Sequence, residues 1–591
     1  MRNRTRNFLI AIVIMLGLFV ALALDLANRG LFWQFAWSVS GEETPIAQVR
    51  GVVEWMGNAL RPQPQTNPMT PIAHTGENPY GINTFLEQEV EAEKVDAKLG
   101  MIADAGFAWI RQQFIWEDIE IHAKGDFVDR RNDRNGDGVI TEADYISSWE
   151  KYDLIVDLTE DYGLRIQARL DNPPNWSRAE PVSVTGAFAP PDDYQDFVDF
   201  AVTVAERYRG RIHYYQVWNE PNIFPEWGNY PVSPEDYTRL LCMTHDALKQ
   251  VDPEIVVITG ALAPTQALTR QNLNDFIFLQ RMYQAGAADC FDILSVQGYG
   301  LNSGPTDRRM RSTVVNIARN LYIRDIMVAN GDSHKPIWIS EAAWNFVPSR
   351  EEAPDIAEPR TMFGQVTPQQ AADYIPLLYE RAMREWPWVG VVNYWFFSRR
   401  DDSERNQPFY YFRMVDPDYN PDAELPFPPL PVYYAMREHI ATVQPTLYFG
   451  VHQADGHWAI DADDPVAVAA DGAQFGQSLQ ADALRFIAHG TQIVVRWRGD
   501  MIEIRAGERA RQEDAEGTGW QTTVLDLGLR AESHAVTVTG SGPLLVDSIT
   551  VVDRTETNLF PVVAVVGITL FMLALAILDG LRLRRERDVA S

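Results

Sequence analysis

Between residues 80 and 437, short apolar runs of β type alternate with stretches in which apolar residues recur every three or four positions. The first pattern suits a strand covered on both faces and the second a helix that hides one side, so their alternation marks parallel βα units. The strand-like runs fall at 80–86, 109–114, 165–170, 213–218, 255–260, 293–299, 337–340 and 391–396. Helical patterns separate most of them, at 90–105, 148–162, 194–208, 234–251, 273–285 and 367–386. Eight such units predict an α/β fold, a (β/α)8 TIM barrel over residues 76–440 with insertions in its loops. No Gly-rich fingerprint follows the first strand, which argues against a dinucleotide-binding open sheet. After residue 441 the period shortens to two, at 491–497, 501–505, 522–527 and 535–539, with turn residues between. Residues 441–555 are therefore expected to form a smaller β-sandwich domain.

Two longer apolar runs, 8–24 and 559–578, contain no charge. The second is long enough to cross a bilayer and precedes Arg582, Arg584, Arg585 and Arg587, so a transmembrane helix with a basic cytoplasmic tail at 579–591 is expected. The first follows Arg2, Arg4 and Arg6, and residues 1–25 read either as a second span or as a signal peptide cleaved near Ala21-Leu22-Ala23. Both readings place the middle of the chain outside the cytoplasm, held at the cell membrane. Residues 26–75 carry Trp33, Trp37 and Trp55 and then a Pro-rich stretch from Arg61 to Pro68, the make-up of a juxtamembrane segment and spacer.

The formal net charge is −30, and both tails are net basic, so the exported part is the acidic one. A basic face for nucleic acid is excluded, and the acid excess reads as solubility. Only Cys242 and Cys290 are present, which rules out a disulfide framework. One bridge in an oxidising compartment stays open, but the reading adopted is two buried free thiols.

The fourth strand ends in Gln216-Val-Trp-Asn-Glu-Pro-Asn222 and the seventh in Pro336-Ile-Trp-Ile-Ser-Glu-Ala-Ala-Trp344. Each sets a carboxylate, Glu220 or Glu341, at the carboxyl end of a strand, the face on which barrel active sites are built. Two carboxyl groups across one mouth are what glycosidic bond cleavage requires: one protonates the leaving oxygen, the other meets the anomeric carbon.

Trp218-Asn-Glu-Pro and Ile339-Ser-Glu resemble the two catalytic signatures of glycoside hydrolase clan A, with family 39 or family 5 the nearest pattern. The resemblance implies a retaining hydrolase of a β-linked glycoside or polysaccharide, with Glu220 as acid/base, Glu341 as nucleophile and Asn219 on the sugar 2-hydroxyl. It also implies substrate-site roles for Arg111 on the second strand, Tyr299 after the sixth and Trp395 on the eighth, and no organic cofactor. Gln297 departs from the pattern, because many relatives carry His two residues before that tyrosine. Trp116, Trp176, Trp227 and Trp344 lie near strand ends and read equally as sugar platforms or as packing. A surface-anchored protein that binds glycan without cleaving it, an adhesion protein, and transglycosylation remain rival readings.

Within an insertion at 129–145, Asp133, Asn135, Asp137, Thr141 and Asp144 place oxygen donors at positions 1, 3, 5, 9 and 12 of a calcium-type loop, with Gly138 at 6 and the Val139 carbonyl at 7. One structural calcium ion is the expectation, and a bare Asn/Asp/Gly turn is the alternative. The stretch from His534 to Asp547 is similar to closing strands of carbohydrate-binding jelly rolls, though a module that only spaces the barrel from the membrane fits as well.

Overall fold

The computed structural model describes residues 13, 16, 17, 20–58 and 60–554. Eight parallel strands form its centre: β1 (Tyr80–Thr84), β2 (Trp109–Ile115), β3 (Arg165–Asp171), β4 (Tyr214–Asn219), β5 (Val256–Ala261), β6 (Leu294–Gln297), β7 (Ile337–Ala342) and β8 (Val389–Tyr394). They pair in the order β5-β4-β3-β2-β1-β8-β7-β6. Parallel bridges between Ile258 and Ile293 and between Leu262 and Val296 join β5 to β6, so the ring closes. Burial on both faces explains why these strands read as almost continuous apolar runs.

The helices between strands carry their own start signals. Pro234–Val251 begins with Ser233 accepting from the Asp236 N–H and with Pro234 in its first turn, and Pro368–Glu385 begins with a capping box between Thr367 and Gln370. Their apolar faces and the outer faces of the strands share one large core.

Inside the ring the packing is layered. At the amino-terminal ends of the strands, Trp109, Tyr214 and Trp338 lie with ring centroids 5.0 to 5.2 Å apart and form an aromatic floor with Val256, Ile258, Ile293 and Val391. Above the floor lies a polar layer of Asn83, Arg111, Gln167, Gln216, Ser295, Ser340 and Asn393, all buried. Gln216 Oε1 accepts from Arg111 Nε at 2.7 Å and from Gln167 Nε2 at 3.1 Å, and Asn393 donates to Gln167 Oε1 at 3.0 Å. Gly81 makes room for this layer, since a Cβ there would sit 2.2 Å from Asn393 Oδ1.

The C-terminal part is sheet-rich, with ten strands in a mostly antiparallel network around two long ones, Gln477–Gly490 and Glu532–Val552. It has its own core around Trp497, and Trp458 packs against both this core and that of the barrel. His457 lies at the same joint, where a Cβ on Gly76 would meet its ring.

Two expectations change here. Cys242 and Cys290 are bonded to each other and not free, because helix Pro234–Val251 runs beside the short turn Ala287–Cys290 and brings their Cα atoms to 4.6 Å. The segment before the barrel is more than a spacer. Helices α1 (Leu31–Ser40) and α2 (Pro45–Asn58) pack on the loop after β6, with Gly304 N donating to Gly41 O at 2.8 Å and Arg309 pairing with Glu42 and Glu54. The Pro-rich stretch then lies along the barrel, where Gln65 N meets Asp325 and Arg324 meets the Thr66 carbonyl. As for the membrane, among the described residues no helix is long and apolar enough to cross one. The expected span at 559–578, its tail at 579–591 and most of residues 1–25 lie outside the described residues.

Candidate active site

The carboxyl end of the barrel brings Arg111, Asn219, Glu220, Tyr299 and Glu341 together, on β2, on β4 and its exit, after β6 and on β7. Arg111 is the hub. Its Nη1 donates to Glu341 Oε1 at 2.9 Å and to Asn83 Oδ1 at 2.7 Å, and its Nη2 donates to Asn219 Oδ1 at 2.9 Å. Together with the Nε bond to Gln216, the guanidinium is held by four side chains from three strands and can take one orientation only. Burial pulls its pKa down to about 10 while Glu341 pulls it back up, so it remains a cation at neutral pH.

Glu341 is held from both sides. Tyr299 donates its hydroxyl to Oε2 at 2.6 Å, opposite the Arg111 pair on Oε1. Burial and the Glu341 charge push the Tyr299 phenol well above its ordinary pKa, which keeps it a donor. Glu220 sits in a different setting. Gln297 Nε2 donates to its Oε1 at 3.0 Å, and no cation pairs with it among the described residues. Burial first, then the charges of Glu341 and Glu226, push the Glu220 carboxyl well above the usual carboxylate range. The two carboxyl groups at this end of the barrel are therefore set differently, Glu341 by a cation and a phenol, Glu220 by an amide.

The backbone that presents Glu220 is strained. Trp218 and Glu220 both have positive φ, 73° and 39°, a region that costs a non-Gly residue about 1 to 3 kcal/mol. The turn swings Glu220 off the end of β4, and Glu220 N bonds to Ala261 O across on β5 at 3.0 Å.

Trp395 is partly open, and its ring meets Phe85 edge-on at 5.5 Å. Of the other four tryptophans, Trp116, Trp227 and Trp344 are buried and have no face to offer a sugar, because the helices and loops outside the strands close over them. Trp176 is partly buried, edge-on to Trp116, and bonds through Nε1 to the Glu120 carbonyl.

Several residues of the site were given no role by the motifs. Asn83, Gln216 and Gln297 position the two glutamates, and Arg169 with Asp171 forms a buried pair at the end of β3. Glu226 lies six residues past Glu220, and burial pushes its carboxyl up to about 7. Their strand-end positions on β1, β3, β4 and β6 were the available signal.

The calcium-type loop folds as a loop, but its donors are turned on their own backbone. Asp133 accepts from Gly136 N and Gly138 N, Asn135 from Asp137 N, and Asp137 from Val139 N. Asp144 accepts from Arg134 N and Asn135 N on one oxygen and from Thr141 on the other. Among the described residues no group of three or more acidic, His or Cys side chains is placed to hold a metal ion, so the expected calcium site does not emerge from the geometry.

No family model matches the chain, and no curated protein matches it. Among solved structures the chain is similar to a family 39 glycoside hydrolase from the gut symbiont Bacteroides cellulosilyticus WH2, with 16% identity, a TM-score of 0.44, and coverage of 79% of this chain and 82% of that one. It is also similar to a GH39 beta-xylosidase from Caulobacter crescentus, with 15% identity, a TM-score of 0.42, and 81% and 97% coverage. An exo-beta-1,4-mannosidase from Opitutaceae bacterium strain TAV5 follows with 17% identity, a TM-score of 0.41, and 64% and 62% coverage. Likenesses this distant carry nothing about chemistry, which has to come from the side chains themselves.

Proposed function

We propose that this chain is a glycoside hydrolase that cleaves a β-linked glycoside or polysaccharide with retention of configuration. The observation that carries the reading is the contrast between Glu341, ion-paired to Arg111 and bonded by Tyr299, and Glu220, bonded by Gln297 and pushed well above the usual carboxylate range by burial and the Glu341 charge. Glu220 gives its proton to the glycosidic oxygen as the Glu341 carboxylate attacks the anomeric carbon; the bond to the leaving sugar breaks and a glycosyl ester forms. Glu220, now a carboxylate, takes a proton from water, the resulting hydroxide attacks the same carbon, and the ester opens to free Glu341. Asn219 meets the sugar 2-hydroxyl, and the open face of Trp395 covers an apolar ring face. No organic cofactor enters these steps.

The same reading places the barrel outside the cytoplasm, tethered at the cell membrane through residues 559–578. The Cys242–Cys290 bond supports an oxidising compartment, and the charge-free terminal runs support the tether.

The test is turnover of a panel of aryl glycosides and polysaccharides by the wild type, Glu220→Gln and Glu341→Gln. Glu341→Gln should be inactive throughout. Glu220→Gln should lose activity on natural linkages yet keep part of it on an activated aryl leaving group, which needs no proton. Retention is read from the anomer formed first, by NMR. If all three proteins bind glycan and none cleaves it, the chain is a glycan-binding protein and the hydrolase reading fails.

A further inference from the structure

Helix α2 is inside out for a helix on a water-facing surface. The residues it buries are Gln48, Gly51 and Asn58, whereas Ile46, Val49 and Val53, spaced three and four apart on one stripe, face outward. Its contacts explain the inner side. A Cβ on Gly51 would sit 2.5 Å from Ser40 Cβ, so glycine lets α2 cross α1 closely. Gln48 Nε2 donates to the Glu42 carbonyl at 2.9 Å and ties down the connection between the two helices. Trp33 and Trp37 of α1 stack with centroids 6.1 Å apart, and Trp37 meets Tyr374 of the helix Pro368–Glu385 at 6.5 Å. The hairpin is thus fixed to the flank of the barrel, and what it turns outward is apolar. With Leu31 at the start of α1 and Leu60 just past α2, the stripe residues are between 44% and 90% exposed.

Charge is sorted in the same sense. All four acids of residues 25–62 are engaged on the protein side. Asp25 accepts from Trp33 N at 3.0 Å, Glu42 and Glu54 pair with Arg309, and Glu43 accepts from the Tyr374 hydroxyl at 2.8 Å. The charged residues of this stretch that stand exposed are Arg29, Arg50 and Arg61, in a chain whose net charge is −30. Just before α1, residues 20–27 are helical and turn Val20 and Leu24 outward, inside the charge-free run 8–24. Water disfavours such an apolar stripe, whereas a bilayer interface accepts it, with alkyl groups below the headgroups and arginines level with the phosphates.

We propose that the α1–α2 hairpin is a membrane-binding surface: its outer stripe enters the headgroup boundary of a bilayer that carries anionic lipid, and Arg29 and Arg50 lie against the lipid phosphates. The inference rests on the tethered reading above and adds that the barrel lies flank-down on the membrane. It is independent of whether the protein cleaves glycosides.

The test uses the full chain in vesicles of phosphatidylcholine mixed with phosphatidylglycerol, and in vesicles of phosphatidylcholine alone. A spin label is attached in turn through Ile46→Cys, Val53→Cys and, as control, Leu529→Cys, a 96% exposed leucine of the sheet-rich part; Cys242 and Cys290 are bonded to each other and take no label. In the mixed vesicles the labels at 46 and 53 should collide with dissolved oxygen more than with a water-soluble nickel chelate, and the label at 529 should do the reverse. Arg29→Gln and Arg50→Gln should each lower the ratio of immersed to exposed label about fivefold, and phosphatidylcholine alone should lower it too. Labels at 46 and 53 that stay in water, in a chain that floats with the vesicles, overturn the proposal and leave the tether standing; a chain that does not float overturns both. Spin–spin broadening at 46 and 53 that grows with the protein-to-lipid ratio means that copies of the chain cover the stripe, and overturns it as well. Immersion equal in the two lipid mixtures and unmoved by the arginine changes overturns the assignment to anionic lipid.

Discussion

Arg111→Met is the sharpest probe of the site, because methionine fills much of the same volume while removing every donor. Arg111 is 2% exposed and serves Glu341, Asn83, Gln216 and Asn219 at 2.7 to 2.9 Å. After the change Gln216 keeps its bond from Gln167, but Asn83 Oδ1 and Asn219 Oδ1 lose the donor described, and Glu341 retains Tyr299 alone. Removing one partner of a buried ion pair costs about 3 to 5 kcal/mol, since the remaining charge is left without compensation. At roughly 2 °C per kcal/mol for a domain of this size, apparent Tm should fall by about 6 to 10 °C. The assay is calorimetry at pH 7 and a fixed scan rate on the wild type, Arg111→Met, Glu341→Gln and the double variant. If the loss comes from the stranded carboxylate, the double variant should recover about 2 kcal/mol or more relative to additivity. Additivity within about 0.5 kcal/mol would mean that the two side chains do not act as a pair, and the account of how Glu341 is held would be wrong.

Three further outcomes follow from the same structure. On the hydrolase reading Glu220 must be protonated to act, and since burial and Glu341 raise its pKa, hydrolysis should persist well above the ordinary glutamate range and fall as pH rises through that raised value; a pH–kcat/KM profile that collapses already near the ordinary glutamate range refutes the acid role. Opening the Cys242–Cys290 bond, which spans 48 positions, should cost up to about 4 kcal/mol by loop entropy, read as a lower melt of the double alanine variant against the wild type. Burial holds His452 neutral down to about 4 and pushes His457 well below its ordinary range, whereas unfolded imidazoles take a proton near 6.5, so the unfolded chain binds more protons and stability should drop as pH falls from about 6.5 towards 4. Replacing both with glutamine should flatten that slope in melts across the window, and an unchanged slope would place the acid-labile groups elsewhere.

The barrel was legible because burial on two faces leaves an unmistakable mark in sequence. The expected run at 165–170 is the strand Arg165–Asp171, that at 213–218 is Tyr214–Asn219, and the helix expected at 234–251 has those bounds. The two longest strands of the C-terminal part were not legible as such, since Gln477–Gly490 and Glu532–Val552 pass through polar and glycine positions and bend across the network. Helices α1 and α2 carry an apolar face that suits a bilayer and a protein surface alike, and only tertiary contact distinguishes them. At the site, Glu220 and Glu341 stood out through their flanking residues. Asn83 and Gln216 did not, because an amide on a strand signals nothing until its neighbours across the barrel are known, and Gln297 stood out only as a departure from the family pattern, without its bond to Glu220. Glu226 and the cysteine pair illustrate the same limit, as both depend on loops and helix ends meeting in space.

The interior amides have an implication for how this protein can change over time. Asn83, Arg111, Gln216, Gln167 and Asn393 come from five strands and are joined in that order by hydrogen bonds, so the orientation of each side chain depends on its neighbours in that series. Altering one in isolation strands its companions and tilts Glu341, while a concerted exchange preserves both stability and aim. Drift in the mouth loops is free of that constraint, so under the hydrolase reading new specificities are accessible by small steps, whereas a new mechanism would require rewriting the lattice beneath all at once.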